Sequence, residues 1–239
     1  AQIDSAYFYY NKAKIISKAS ESKNLITIYY SLLDINLWAK DYLGLEELAI
    51  EIIRNKKFEK EYEFLAEAYA YLGVVSSTLE NYNDALKYHQ KGLKYVKKIS
   101  DKSIRISEEI NNTNNIGSTY LDQNKFNKSL YYFNEALKLD LNLKNNDIEM
   151  YAVLLVNKGV SEIKSGKIKY GLNNLNEALN IAEELKTDYI KVEILLELAS
   201  YYKKIKNSTK AKEYVYNAMT LAKKINFKQL KALKLSAEI

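Results

Sequence analysis

The chain has 239 residues, of which 47% are hydrophobic and 28% are charged, and its formal net charge at neutral pH is +6. It contains no cysteine, which excludes disulfides, thiolate catalysis and cysteine-based zinc or iron–sulfur sites. It also has no proline and only two arginines, Arg54 and Arg105. The composition therefore favours uninterrupted helices and disfavours nucleic-acid binding, which relies on arginine for base and phosphate contacts.

A repeated unit is visible in segments that share one pattern of small, apolar and aromatic residues. They begin at Asp4, Asn83, Asn127, Lys169 and Thr209, and a weaker one begins at Asp41. Aligned, they place one shared position at Ala6, Leu45, Ala85, Ser129, Gly171 and Ala211, and another seven residues later at Ala13, Ile52, Gly92, Ala136, Ala178 and Ala218. Seven residues make two turns of an α-helix, so both positions lie on one face, where a small residue lets a neighbouring helix approach closely.

Another helix precedes four of these segments. Its small residue lies twelve residues before the first shared position, at Gly73, Gly117, Gly159 and Ala199. A glycine inside a helix costs about 1 kcal/mol relative to alanine, so its recurrence at one register indicates close helix packing. Short polar turns separate the two helices of each pair. The sequence therefore predicts antiparallel helix hairpins, with twelve helices in all and no strand.

These hairpins resemble the tetratricopeptide repeat, in which Leu-Gly and a Tyr-like residue on the first helix are followed by a turn and by Ala, an aromatic residue and Ala on the second. The resemblance covers essentially the whole chain and is strongest around Gly73 and Gly117. It implies an all-α, right-handed superhelical solenoid. The repeats depart from the family pattern because they are about 40 rather than 34 residues long and lack its terminal proline, and the repeat around Trp38 has larger residues at the small positions.

The resemblance makes residues 1–239 a single solenoid domain with a partial repeat at each end. The partial repeats are a helix at 4–18 and a first helix at 227–239, and the repeats between them span 23–55, 62–98, 104–142, 148–185 and 189–225. A solenoid normally ends in a polar capping element, whereas the segment ending at Ile239 is apolar, so we expect the parent protein to continue. The exposed terminal helices are also candidates for self-association.

No arrangement for catalysis or metal binding is apparent in the sequence. The one histidine, His89, occupies a register that aromatic and apolar residues occupy in other repeats, which indicates a packing residue. Adjacent acidic pairs such as Glu183-Glu184 point about 100° apart on a helix, so they belong to solvated faces. The seven glycines form no phosphate-binding loop. We expect a non-catalytic domain with no metal, cofactor or nucleic acid, and any kinase activity to reside elsewhere in the parent protein.

In tetratricopeptide proteins the first helices line a concave surface, and the resemblance transfers those positions onto this chain by register. The candidate partner-binding residues are polar on one helix and mainly apolar further along: Asn111, Asn114, Asn115 and Ser118, then Val156, Val160, Ile163 and Lys203. The amides suit the backbone of a bound peptide or protein segment, because they both donate and accept hydrogen bonds. The apolar strip is either a partner site or a surface that a neighbouring helix covers. The family's carboxylate clamp is not matched.

Long repeats with this abundance of Lys, Asn, Ile and Tyr resemble the sensor regions of histidine kinases and related regulators of Bacteroidetes-type bacteria, notably in DSAYFYYNKAK and NYNDALKYHQKGLKY. That resemblance implies a sensor or regulatory input domain of a two-component protein, located in the periplasm as part of an inner-membrane protein. No stretch of the chain itself is apolar enough to span a bilayer, so we expect no membrane contact from it. Two alternatives stay open: a cytoplasmic peptide receptor resembling quorum-sensing transcriptional regulators, and a plain assembly scaffold.

Overall fold

The computed structural model describes residues 2–19, 24–141 and 143–225. In these ranges the chain forms α-helices and one 3-10 turn, Lys56–Phe58, and no strand. The helices are α1 (Gln2–Ala19), α2 (Leu25–Ala39), α3 (Tyr42–Arg54), α4 (Tyr62–Thr78), α5 (Tyr82–Val96), α6 (Lys102–Asp122), α7 (Phe126–Leu139), α8 (Leu143–Asn146), α9 (Ile148–Lys164), α10 (Ile168–Glu184), α11 (Asp188–Lys204) and α12 (Ser208–Ile225).

The all-α prediction is confirmed. Apart from the four-residue α8, eleven helices occupy the predicted places, and the twelfth, predicted at 227–239, lies outside the described residues. The sequence pattern did not predict α8 or the 3-10 turn, both of which lie in links between repeats.

One kind of turn ends four of the first helices and lets the chain reverse without proline. After α2, α4, α9 and α11, a residue adopts a left-handed backbone: Lys40 (φ 57°), Glu80 (φ 62°), Gly166 (φ 91°) and Lys206 (φ 59°). Its N–H donates to the carbonyl three residues back, and the next N–H donates to the carbonyl five residues back, as from Asn81 to Ser76 at 2.8 Å. These bonds satisfy carbonyl groups that the end of a helix would otherwise leave unpaired.

The chain divides into two compact units, Ala1–Gln123 and Asn124–Ile239, and the boundary falls in the turn after α6. In the first unit each helix from α1 to α6 packs against the next one, and α4 also packs against α6. Its core is centred on Tyr29, Phe58 and Phe64, whose rings meet edge to face with centroids 5.1–5.9 Å apart. Buried aromatic rings of this kind contribute large apolar areas to a core.

In the second unit α7 packs on α9, α9 on α10, α10 on α11 and α11 on α12, and α9 also packs against α11. The predicted glycines account for the closest contact, because a Cβ atom added at Gly171 would lie 2.5 Å from the carbonyl oxygen of Gly159. Beside them, the buried hydroxyls of Ser129 and Ser161 are 2.7 Å apart and hydrogen-bonded. This packing leaves no room for larger side chains at these positions.

The shared positions predicted from the repeats are buried from α3 onward, which confirms the register. Ala85, Ala136, Ala178, Ala211 and Ala218 are all fully buried. On α1 the equivalent residues, Ala6 and Ala13, are only partly buried.

Candidate partner-binding faces

The predicted groove positions lie on two surfaces, which we call the first-helix faces. In the first unit the face is carried by α2, α4 and α6, and in the second unit by α9 and α11. Asn111, Asn115 and Ser118 on α6 are partly exposed, whereas Asn114 is buried, with 8% of its surface accessible. Asn111 also forms a side-chain hydrogen bond with Glu108. The amides of α6 thus partly reach solvent, but one of them is committed to a neighbouring carboxyl group.

The apolar strip of the second unit is covered. Val156, Val160 and Ile163 keep only 5%, 8% and 9% of their surface accessible, since α7, α10 and α11 all pack against α9. Of the two interpretations of this strip, the structure therefore favours coverage by a neighbouring helix over a fully solvated surface. Lys203 on α11 remains partly exposed. Nothing in this geometry shows that these residues bind a partner, and that role stays a prediction.

The first-helix face of the first unit carries an acidic cluster that sequence analysis did not identify. It comprises four carboxyl groups and two tyrosines from three helices: Asp34, Glu63, Glu67, Glu108, Tyr30 and Tyr71. The Tyr71 hydroxyl donates to Oδ1 of Asp34 at 3.0 Å, and the carboxyl group of Glu67 lies within hydrogen-bonding reach of the Tyr71 and Tyr30 hydroxyls. The carboxyls therefore lie close enough together to affect one another's ionisation.

Burial dominates the electrostatics of this cluster. Desolvation, reinforced by the negative charges of Glu108 and Asp34, raises the pKa of Glu67 to about 8. Desolvation and the charge of Glu63 raise the pKa of Glu108 to about 7. The pKa values of Tyr30 and Tyr71 are raised as well, mainly by burial, so both phenols stay protonated and remain hydrogen-bond donors. Near neutral pH the cluster thus holds part of its carboxyl groups in the protonated form.

The first-helix face of the second unit contains a cavity of about 340 Å³. Its lining comes from the start of α7, the end of α9 and the second half of α11: Asn124, Phe126, Val160, Ile163, Lys164, Glu197, Ser200, Tyr201 and Lys204. Two predicted groove residues, Val160 and Ile163, form part of its wall. A volume of this size lies at the lower end of the range of ligand pockets in proteins. The cavity therefore suits one bulky side chain better than a large ligand.

Two of the three charged side chains that line this cavity are lysines. Lys164 and Lys204 are exposed, and neither pairs with a carboxylate among the described residues. A second hollow of about 600 Å³ shares Asn124, Phe126 and Lys164 with the cavity and adds Lys125 and Lys128 to the lining. The Ser200 hydroxyl is already used, because it donates to the Leu196 carbonyl at 2.9 Å.

Register comparison explains how the two lysines come together. Four first helices carry a small residue at the same register, namely Gly73, Gly117, Gly159 and Ala199. The residues five positions later are Thr78, Asp122, Lys164 and Lys204, respectively. Lys164 and Lys204 are the last residues of α9 and α11, and they approach each other since these two helices pack together. The repeats alone could have pointed to these lysines. They could not have indicated that a cavity opens beside them, because its volume depends on the side chains of three helices.

The histidine predicted to be a packing residue is one. His89 is buried on α5, and its ring occupies the space that a Cβ atom at Gly73 would need. Burial lowers the pKa of His89 to about 4, so the imidazole is neutral at physiological pH. Among the described residues, no group of three or more His, Asp or Glu side chains is placed to hold a metal ion. None of the described helices is long and apolar enough to cross a bilayer.

No protein-family model matches the sequence, and no curated protein resembles it closely enough to count as a relative. Solved structures do match its fold. BtubC from P. vanneervenii is 19% identical with a TM-score of 0.64, and the alignment covers 94% of this chain and 91% of BtubC. A signal-transduction ATPase of the STAND type with a tetratricopeptide repeat sensor, from Pyrococcus horikoshii, is 19% identical with a TM-score of 0.65, over 95% of this chain and 33% of that one.

The fold is that of tetratricopeptide-repeat proteins. A third structure, the Rap conjugation gene regulator of plasmid pLS20 in complex with the Phr* peptide, is 17% identical with a TM-score of 0.69. That alignment covers 88% of this chain and 57% of the regulator. At these identities the likeness establishes the tetratricopeptide fold and leaves the function to be argued from the surfaces of this chain.

Proposed function

We propose that this tetratricopeptide chain binds a peptide or protein segment and serves as the sensor or regulatory input domain of a larger bacterial signal-transduction protein of the histidine kinase type. The observation that carries the binding role is the cavity on the first-helix face of the second unit. Its wall combines aromatic and aliphatic side chains with a polar rim, which is the usual composition of a site that receives a side chain. Catalysis belongs elsewhere in such a protein, and we propose a periplasmic location for this domain.

Two of the fold neighbours support an input role. One is a signal-transduction protein whose tetratricopeptide repeats are a sensor, and another is a gene regulator solved with a peptide. The second neighbour also favours the alternative, a cytoplasmic peptide receptor of a transcriptional regulator. Both proposals require the same event, the capture of a segment by a first-helix face. They differ in what the rest of the protein does with that event.

The binding role can be tested by photo-crosslinking at matched tyrosines. We would replace Tyr201, in the cavity wall, with p-benzoylphenylalanine and place the same group at Tyr216, which is 71% exposed on α12. After irradiation with a lysate of the source bacterium, crosslinked peptides would be identified by mass spectrometry. We expect a specific adduct from the Tyr201 position and only weak background from Tyr216. Equal labelling at the two positions, or none at Tyr201, would argue against capture at this face.

The parent gene separates the signalling proposals. A membrane helix and a histidine kinase in the same reading frame would support the input domain of a two-component protein. A helix-turn-helix segment would support the peptide receptor instead. A parent gene with neither a kinase nor a helix-turn-helix segment would support the plain assembly scaffold.

A further inference from the structure

We propose that the cavity of the second unit binds an acidic segment of a partner protein, with one apolar or aromatic side chain inserted between Phe126, Val160 and Tyr201 and flanking carboxylates held by Lys164 and Lys204. This inference rests on the proposed binding function and adds the chemistry of the bound segment. It follows from the shape of the cavity and the charge around it.

The apolar part of the ligand follows from the wall. Val160 and Ile163 of α9 lie three residues apart and Tyr201 lies across from them on α11, with Phe126 of α7 closing the cavity. All four side chains present carbon surface, and the Tyr201 hydroxyl has no hydrogen-bond partner among the described residues. An inserted side chain would remove this surface from water, which is favourable in proportion to the apolar area buried.

The acidic part follows from the charge balance. Lys164 and Lys204 line the cavity, both are exposed, and neither pairs with a carboxylate among the described residues. A cationic segment would be repelled by these two lysines, and a neutral one would leave Lys164 and Lys204 without a carboxylate partner. Carboxylates next to the inserted side chain complement the surface and increase the rate of encounter.

Lysines at helix ends have another explanation, since a cation near a C-terminus is favourable to the helix dipole. Two observations show that the helix dipole does not by itself account for Lys164 and Lys204. The turn already satisfies the helix end, because Gly166 donates to Ile163 at 3.1 Å and Lys167 donates to Glu162 at 2.8 Å. In the first unit the same register holds Thr78 and Asp122, so the fold does not require lysine at this position.

The test is selection of a phage-displayed library of random 12-residue peptides on the immobilised chain, followed by affinity measurement of the selected peptides in solution. We expect the selected peptides to share an aromatic or aliphatic residue flanked by Asp or Glu. Lys164→Glu and Lys204→Glu should each weaken their binding by about tenfold, and less at high salt. The matched controls Lys169→Glu and Lys212→Glu change the net charge equally on exposed parts of α10 and α12, and binding should stay within about twofold.

A cavity-filling variant tests the apolar part separately. Ser200→Phe places a ring in the cavity, so peptide binding should fall by about tenfold while the melting temperature is maintained. Circular dichroism of every variant verifies that it is folded.

Three outcomes would overturn the inference. If peptides are selected that lack acidic residues, or whose binding is unaffected by Lys164→Glu, the segment chemistry is wrong and the binding function stands. If oligothymidylate competes with comparable affinity, the lysines form a general polyanion surface. If no peptide is enriched at all, the binding function itself fails.

Discussion

The first-helix faces of the two units show how one repeat scaffold produces opposite surfaces. In the first unit the face carries Glu67, Glu108 and two tyrosines, which are largely withdrawn from water, and the tyrosines are hydrogen-bonded to Glu67. In the second unit a cavity opens nearer the C-terminal ends of the first helices, where Val160 and Ile163 correspond to Val74 and Ser77 of α4, and lysines lie beside it. Both faces are built from first helices of the same repeat, so the difference arises from which side chains those helices carry along their length. A tetratricopeptide face is therefore specified by few positions, and its fold says little about its ligand.

The largest expected effect is a difference in stability between substitutions at two equivalent positions, Val74 of α4 and Val160 of α9. Val160 keeps 8% of its surface accessible, whereas Val74 is partly exposed. Val160→Asp should lower the free energy of unfolding by about 2–4 kcal/mol, because it places an unpaired charge in an apolar contact. Val74→Asp should cost roughly 1 kcal/mol or less. Urea denaturation of both variants measures the difference, and equal costs would show that the two faces are covered to the same extent.

A second prediction concerns the pH dependence that the acidic cluster gives the first unit. The pKa of Glu67 is about 8 in the folded chain and about 4.3 when unfolded, so the folded state binds the extra proton between these values. The contribution of Glu67 to the free energy of unfolding is fully present below about pH 4.3 and is lost as the pH rises through 8. Glu67→Gln should raise the free energy of unfolding at pH 9 by about 1–3 kcal/mol.

The measurement is chemical denaturation of wild type and Glu67→Gln from pH 6.5 to 9. This range avoids His89, whose lowered pKa of about 4 makes stability fall in the opposite direction, as the pH drops below its unfolded pKa of about 6.5. Glu108 titrates near 7, so some pH dependence should survive in the variant. Identical pH profiles for the two proteins would mean that Glu67 is ionised and well solvated in the folded state.

The smallest expected effect is the change in stability caused by Lys204→Glu, which separates a role in binding from a role in folding. Lys204 is exposed at the end of α11, and Asp122 stands at the same register in the first unit without disrupting α6. Lys204→Glu should therefore change the free energy of unfolding by about 1 kcal/mol or less, the size of a helix-dipole effect. Thermal unfolding at low and high salt provides the measurement. A larger loss of stability would assign Lys204 a structural role and weaken its assignment to ligand binding.

The helices, the repeat register and the close helix contacts could all be predicted from the amino-acid pattern. Positions such as Ala136 and Gly171 could be identified because a small residue recurs wherever two helices approach, and that requirement is local and periodic. The same register correctly made His89 a packing residue.

The burial and ionisation of the first-helix faces could not be predicted in this way, because both depend on how the helices pack. The burial of Val156 depends on the neighbouring helices that pack against α9, and the proton held by Glu67 depends on Tyr71 of the same helix and on Asp34 and Glu108 from other helices. The sequence specifies which residues point to a face. Their burial, their ionisation and the empty volume between them arise from distances between helices, which no single repeat encodes.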